Sequence, residues 1–274
     1  MKQRETPQSW KDVEREGWNR NASCYDARAG QMTTDAVEPM LDAVEARPGM
    51  RLLDVCCGPG YGAGAAAARG LHAVGIDIAR AMIEAARQRF PDAEFHEGDA
   101  ENLDSPDASF DAVICAFGLL HLPDSKRAIA EAFRILRSGG KYAFTVWCRP
   151  EQARLLAVAL DAIRSHADMN VPLPPAPAMF ELSDPDVATA ALATAGFRDI
   201  AFEQVPIEFE GRSPEDVFDW LDKSTVRTMA IFRLQTPEVQ DRIRVAILDG
   251  AREYKSKGTV RIPCPALVYR ACKP

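Results

Sequence analysis

Leu52-Leu53-Asp54-Val55-Cys56-Cys57-Gly58-Pro59-Gly60 is the stretch that decides the fold of this chain, together with Val74-Gly75-Ile76-Asp77 downstream of it. A short apolar run ends in an acid and turns through glycines into the Ala-rich segment Tyr61 to Ala68. A second apolar run then ends in another acid, Asp77. That is the layout of a nucleotide site at the carboxyl edge of a parallel sheet. Glycines let backbone approach a ligand closely, and an acid closing the second strand is placed to grip ribose hydroxyls.

Five segments together resemble one family. Asp54 to Gly60 resembles motif I of the class I S-adenosylmethionine (SAM) methyltransferases, and Gly75-Ile76-Asp77-Ile78 resembles motif II. Glu97-Gly98-Asp99-Ala100-Glu101-Asn102-Leu103 is similar to motif III and Ser109-Phe110-Asp111-Ala112-Val113-Ile114 to motif IV. Leu136-Arg137-Ser138-Gly139-Gly140-Lys141 resembles the loop before the fifth strand. The resemblance is nearest to the ubiquinone/menaquinone-biosynthesis-like (methyltransferase type 11) branch and covers Trp18 to Pro150. Beyond Pro150 only the general layout matches.

A nicotinamide fold competes for the same glycines. Gly60-Tyr61-Gly62-Ala63-Gly64-Ala65 satisfies the G-x-G-x-x-A fingerprint, with Asp77 at a plausible distance for a ribose contact. Asp54 separates the two. A dinucleotide site brings a pyrophosphate to the helix start, where an acid would repel it. In the methyltransferase pattern that acid faces the ammonium of the cofactor's amino-acid end.

With 274 residues, one α/β domain with an elaborated cap is expected. A 47% hydrophobic fraction is ample for a core. The net charge of -7 and the lack of Lys/Arg clusters argue against tRNA or DNA as partner. The polar start, Met1-Lys2-Gln3-Arg4-Glu5, leads into no apolar stretch of the kind a secretory signal needs, and no run reaches the length of a membrane span. Seven cysteines without C-x-x-C pairing read as thiols in a reducing cytoplasm. Adjacent Cys56 and Cys57, on an extended strand, would point to opposite faces and so could not chelate a metal together.

Three regions follow: an N-terminal helical lid over 1–46, a SAM-binding core over 47–150, and a completion of the sheet over 151–274. The third region carries a helical substrate cap at about 210–260. The lid segment, from Gln8 to Ala46, reads as two helical patterns broken near Gly30. The core alternates strand Arg51 to Val55, helix Gly60 to Arg69, strand His72 to Ile76, and helix Arg80 to Phe90. Strands Glu94 to Glu97 and Phe110 to Ala116, helix Ser125 to Leu136 and strand Lys141 to Trp147 complete it. Such crossovers imply a right-handed parallel sheet. Further on, a Pro-rich loop at Val171 to Pro177 precedes a helix at Asp184 to Ala195. Strand candidates Ile200 to Phe209 and Ala266 to Cys272 flank helical patterns at Pro214 to Leu221, Thr225 to Leu234 and Pro237 to Tyr254. The expected architecture is the Rossmann-like class I methyltransferase three-layer sandwich, a mostly parallel seven-stranded sheet with an antiparallel final strand.

The resemblance also implies site roles. Asp54 would face the cofactor's ammonium, and backbone around Cys56, Gly58 and Gly60 would lie along its methionine and ribose portions. Asp77, with Ile78 and Met82 beside it, would accept the ribose hydroxyls. Asp99 would accept the adenine amine, Ala100 would offer its amide to a ring nitrogen, and Phe117 would face the reacting centre. The family more often has Gly where Cys56 stands. Trp18 to Asp26 resembles the lid helix of this branch, where a tyrosine closes over the cofactor. Tyr25 could offer its ring or hydroxyl to the sulfonium, or serve with Trp18 as core of an amphipathic helix.

After the fourth strand, Cys115-Ala116-Phe117-Gly118-Leu119-Leu120-His121-Leu122 lacks the Asp/Asn-Pro-Pro-aromatic signature of nucleobase amine methylation, and lacks a second acid to hold Mg²⁺ beside a catechol. His121 is the only titratable residue near this apolar floor. Two roles are open for it: general base for a phenol, enol or acid, or a structural histidine bonding nearby backbone. In the cap, Trp220, Met229, Phe232 and Tyr254 are either acceptor-pocket walls or core.

The expectation is therefore a metal-independent SAM-dependent methyltransferase. It would act on an oxygen or carbon of a small, largely apolar acceptor, releasing S-adenosylhomocysteine. A homodimer is left open. Two other classes stay in view: a SAM-binding enzyme with a different reaction such as cyclisation, and a non-catalytic interaction protein of the same fold.

Overall fold

The computed structural model describes residues 9–25 and 29–274, giving backbone alone for 29–31. Gln8 and Asp26, at the edges of the expected lid elements, lie outside the described residues. Helix α1 (Trp10–Asn21) starts at a capping box in which the Ser9 hydroxyl accepts from the Asp12 amide and the Asp12 carboxylate accepts from Ser9. Helices α2 (Ala29–Thr34) and α3 (Val37–Ala43) follow. Gly30 falls inside α2, so the expected break lies earlier in the chain.

The core alternates β1 (Arg51–Val55), α4 (Tyr61–Ala68), β2 (His72–Asp77), α5 (Arg80–Arg89), β3 (Glu94–Glu97), β4 (Phe110–Ala116), α6 (Ser125–Ile135) and β5 (Leu136–Trp147). Then come α7 (Arg154–His166), α8 (Pro185–Ala195) and β6 (Arg198–Val205). The cap contains β7 (Glu208–Gly211), α9 (Pro214–Ser224), α10 (Arg227–Arg233), α11 (Pro237–Arg252), β8 (Lys255–Ser256) and β9 (Thr259–Pro263). Strand β10 (Ala266–Cys272) returns to the main sheet.

The main sheet has seven strands in the order β3-β2-β1-β4-β5-β10-β6. Strands β1 to β5 pair in parallel, and β10 runs antiparallel to both neighbours, with Tyr269 opposite Phe144 and Phe202. The parallel part is covered on both faces, which is why β1 buries Leu52, Leu53, Asp54 and Val55 in succession instead of alternating. On one face Met40 and Leu41 of α3, Ala63 and Ala66 of α4, and Ile83 and Ala86 of α5 form the packed layer. On the other, Ile129 and Ile135 of α6 and Leu192 of α8 pack against Phe144, Phe197 and Tyr269. Three layers result, with the strand order reversing between β1 and β4. No described helix is long and apolar enough to cross a membrane.

Three expectations need correction. Helix α7 lies where no element was assigned; its Leu155, Leu156, Ala159 and Ile163 join the cap's core with Trp220, Ile243 and Ile247. The single strand expected at Ile200 to Phe209 is two strands in two sheets, separated at Pro206, which has no N–H to give to a ladder. The cap is not wholly helical: β7, β9 and β8 form a small antiparallel sheet.

Candidate active site

The reversal in strand order leaves a crevice outside the carboxyl ends of β1, β2 and β4, where open α/β sheets place their ligands. A cavity fills it, floored by Cys56, Gly58, Asp77, Asp99 and Phe117. Helix α1 and the α9–α10 segment roof it, with Lys11, Glu14, Trp18, Trp220 and Arg227.

Each floor residue is held by backbone geometry. As β1 leaves the sheet, Cys56 takes the left-handed region (φ 57°), as do Gly58 (φ 52°) and Gly60 (φ 90°). A non-glycine is uncommon there, which explains why Gly is the family's usual residue at the position of Cys56. Cys56 is therefore in a turn and not on an extended strand. Its thiol is hydrogen-bonded to that of Cys115, and this together with burial pushes the Cys56 thiol well up. All seven cysteines are free thiols.

Asp77 ties this turn to the next. Its Oδ2 accepts from the Gly58 amide (2.9 Å) and its Oδ1 from the Ala79 amide (2.8 Å). Burial raises its pKa against the pull of these two amides. Above Gly58 there is open space: a Cβ built there would meet nothing within 4 Å. Gly60 differs, since a Cβ would stand 2.8 Å from the Phe95 ring. Gly60 thus packs β3 against the turn and does not line the cavity.

Asp54 is not on the cavity wall either. It is 1% exposed, and its Oδ2 caps α4 by accepting from the Ala63 amide at 2.8 Å. Gly62 makes room for it, because a Cβ there would sit 2.6 Å from that oxygen. The other oxygen, Oδ1, has no hydrogen-bond partner among the described residues. Burial pushes the Asp54 pKa up to about 7, with the Ala63 amide opposing and the Asp77 charge adding.

At the far end of the floor, Asp99 accepts from Lys11 Nζ (2.7 Å) and from the Glu101 amide (3.0 Å). Burial alone would raise its pKa, but the Lys11 and Glu101 hydrogen bonds hold it below the usual range. Ile78, Met82 and Ala100 line the same end. Phe117, also left-handed (φ 53°), is pinned by its amide donating to Thr145 Oγ1 at 3.0 Å. Its ring stacks on Trp147 with centroids 4.0 Å apart. Tyr25 lines the cavity beneath the roof, edge-on to Trp18 at 5.8 Å, with its hydroxyl bonded to Thr33.

His121 lines the cavity with its ring edge-on to Trp18 (5.1 Å between centroids). Its Nδ1 lies 3.2 Å from Glu14 Oε2, so its polar neighbour is a carboxylate on α1 and not the nearby backbone. Of the four cap candidates only Trp220 lines the cavity. Met229 is core, Phe232 packs edge-on to Phe218, and the Tyr254 hydroxyl accepts from Arg154 Nε. Sequence reasoning missed Lys11, Glu14, Thr145 and Trp147. Lys11, Glu14 and Trp18 stand at i, i+3 and i+7 of one helix, a shared face that the periodicity could have shown.

Residues 53–144 match the methyltransferase domain family. A demethylmenaquinone methyltransferase of Renibacterium salmoninarum is 36% identical over 138 residues, covering 48% of this chain and 58% of that protein. The chain spans between 47% and 58% of the length of the first two such curated relatives. Among solved structures, the [4+2]-cyclase SpnF superposes with TM-score 0.58 at 20% identity, covering 97% of each chain. A Haemonchus contortus phosphoethanolamine N-methyltransferase 2 in complex with SAM gives TM-score 0.52 at 18% identity, over 87% of this chain and 52% of that one. These two likenesses are of fold. Residues 53–144 form a SAM-dependent methyltransferase domain of the class I fold, and the curated proteins it is similar to include enzymes of ubiquinone and menaquinone biosynthesis.

Proposed function

We propose that the chain transfers a methyl group from SAM to an oxygen or activated carbon of a small aromatic acceptor, without a metal. The observation that carries this reading is the pairing of Asp77 with the open face of Gly58 on the cavity floor. Each Asp77 oxygen spends one lone pair on an amide and keeps another for a ribose hydroxyl. The bare Gly58 backbone leaves room for the ligand chain to pass. The residues present thus fit SAM. The adenine end would lie toward Asp99 and the Ala100 amide, and the reacting end toward Cys56, Phe117 and Tyr25. Asp54, behind the wall, would act through the α4 N-terminus it caps.

When bound, SAM supplies an electrophilic methyl already activated by the sulfonium charge. The chain's own task is then alignment and exclusion of water, which can provide most of the acceleration. Phe117 and Trp147 form a stacked wall along the acceptor side, and Trp18, Leu120 and Trp220 enclose it. Such walls suit a flat apolar ring, and the similarity to a demethylmenaquinone methyltransferase of Renibacterium is consistent with a quinol or phenol.

Calorimetry tests the cofactor, with micromolar SAM binding expected and no NADH binding. NADH binding more tightly than SAM would overturn the reading. Turnover of labelled SAM against phenols, quinols and fatty acids tests the acceptor. A protein that binds SAM yet methylates none of these while converting another substrate would favour a non-methylating enzyme.

A further inference from the structure

We propose that Glu14 and His121 form a proton-accepting pair that is completed only when α1 lies over the cavity, so that the acceptor is a hydroxylated ring whose O–H must be ionised. This rests on the methyl-transfer reading above and names the chemical class its acceptor belongs to.

The two residues reach each other from opposite sides of the cavity mouth. His121 ends a single 3-10 turn, Leu119–His121, directly after the Phe117 floor. Glu14 sits mid-helix on α1 and is 4% exposed. Its Oε2 is 3.2 Å from His121 Nδ1, off the line of a hydrogen bond, and neither carboxylate oxygen has a hydrogen-bond partner among the described residues. A buried carboxylate with no such partner is costly unless a charge or proton answers it. The His121 ring is the nearest group that can do so, and becomes that partner by taking a proton. Because Nδ1 is turned to Glu14, Nε2 sits on the opposite ring edge. His121 keeps 23% of its side chain exposed while Glu14 is sealed behind it. A sealed acid behind a histidine that itself lines the cavity is the arrangement that orients a base and stabilises its cation.

Three other charged groups face the pair. On α1, Lys11 is committed to Asp99 and Glu101. On α10, the Arg227 guanidinium lies 5.1 Å above the Trp10 ring and its charge acts on Glu14, so it shares the carboxylate with His121. Asp77, at the end of β2, interacts with His121 as an opposite charge to Arg227. Tyr25 lies beyond Trp18 with its hydroxyl on Thr33. The step balances simply. The acceptor's O–H bond breaks and its proton passes to His121 Nε2. The freed electron density, on oxygen or on the ring carbon it activates, forms the bond to the methyl carbon. The sulfur–methyl pair stays on sulfur, which becomes a neutral thioether. In ring-carbon methylation the ring C–H proton is then lost to solvent as the ring regains aromaticity. Glu14 is a positioning residue, since it never touches the acceptor.

The test uses the full chain with Glu14→Gln and His121→Gln, each checked for folding by thermal melt and for SAM affinity by calorimetry. First, the His121 ring is observed by NMR without cofactor. Glu14→Gln is expected to move the ring nitrogen resonances, because the carboxylate beside Nδ1 selects the tautomer. Unchanged ring resonances overturn the pairing, whatever the activity. Second, wild type and variants are compared on phenols of graded acidity. His121→Gln is expected to lose about 10²-fold or more on weakly acidic phenols. Glu14→Gln should lose less, and both should recover toward wild type on nitrophenols already ionised at the assay pH. Equal losses across the series would overturn the base role. If the wild type binds SAM but methylates none of the panel, the methyl-transfer reading fails, and the NMR arm still decides the pairing.

Discussion

Lys11 Nζ stands 2.7 Å from Asp99 Oδ2, and the same ammonium also pairs with Glu101. One cation on α1 therefore holds two acids of the segment after β3. Burial works against its charge, but the two hydrogen bonds and the charges of Asp99 and Glu101 win and raise its pKa. Lys11→Met removes the cation that bridges Asp99 and Glu101 and leaves only the more distant charge of Arg127 acting on Asp99. Partly exposed pairs are worth about 0.2–1 kcal/mol each, so losing both is expected to lower SAM affinity by roughly two- to thirtyfold. Hydrogen exchange should show faster opening of α1. Unchanged exchange in Trp10–Asn21 would show that the helix is held by its apolar face alone.

Asp77→Ala is expected to weaken SAM binding at least tenfold. Charge-assisted hydrogen bonds run to about 1.5–3 kcal/mol and are not additive, so two ribose bonds are worth about 2–4 kcal/mol together. The substitution also frees the Gly58 and Ala79 amides, so a lower melting temperature accompanies it. Asp77→Asn keeps an acceptor for one amide and should recover part of the stability but little of the affinity. Wild-type affinity in either variant, measured by calorimetry, would mean that the ribose is gripped elsewhere.

Two neighbouring glycines should fail in different ways. Gly58→Ala puts a methyl group into open space at φ 52°, costing about 1 kcal/mol of backbone strain and crowding the cofactor's path. Gly60→Ala drives its methyl into Phe95 and Ala86 at φ 90°. The first is expected to lose SAM affinity with a small change in melting temperature. The second is expected to lose several degrees of stability, or to fold poorly. The reverse assignment would move the ligand path from Gly58 to Gly60.

Asp54 predicts a pH dependence. Its carboxyl is pushed up to about 7 by burial, against an ordinary value of 3.8. The folded state therefore binds a proton that the unfolded state has already released, and stability falls as pH rises through that interval. About three units at about 1.4 kcal/mol each give an upper bound of about 4 kcal/mol. Asp54→Asn, whose side-chain oxygen still caps Ala63, should flatten the loss of melting temperature between pH 5 and pH 8. A variant that tracks the wild type across this range would assign the dependence to other groups.

The parallel core was legible because its punctuation is local. Acids and glycines end β1 and β2, and Gly139-Gly140 loops out of β5 where the pairing register jumps from Leu136 to Lys141. Helix α7 was not legible. It has no side-chain cap at Ala153, and Leu155, Leu156, Ala157, Val158 and Ala159 are all buried in succession, so a polar face shows only in its second half, at Asp161, Arg164 and Ser165. Val205 and Phe209 read as one apolar alternation although Pro206 divides two sheets. Asp77, Asp99 and Phe117 could be expected around one cavity, which they line, because the motif order carries them. Lys11 and Glu14 were missed because their meaning depends on what α1 lands on. Gly60 and Asp54 were found but placed one layer too close to the ligand: sequence spacing shows a residue's turn, not which side of it faces the void.

Val205 and Ala266 face each other across β6 and β10, and everything between them belongs to the cap. The whole insertion thus leaves the sheet and rejoins it through adjacent ladder rungs. Lengthening, shortening or replacing it asks nothing of the strands that hold Asp77 and Asp99, since the rung keeps the two ends together whatever lies between. Acceptor choice can then drift across descendants while the donor side stays fixed. That freedom is tethered by α1, whose Trp10 and Val13 pack with Val226, and by α7, whose Leu155, Leu156 and Ile163 are buried with the cap's core. A graft that swaps residues 206–265 without repainting that helix would leave an oily stripe facing water.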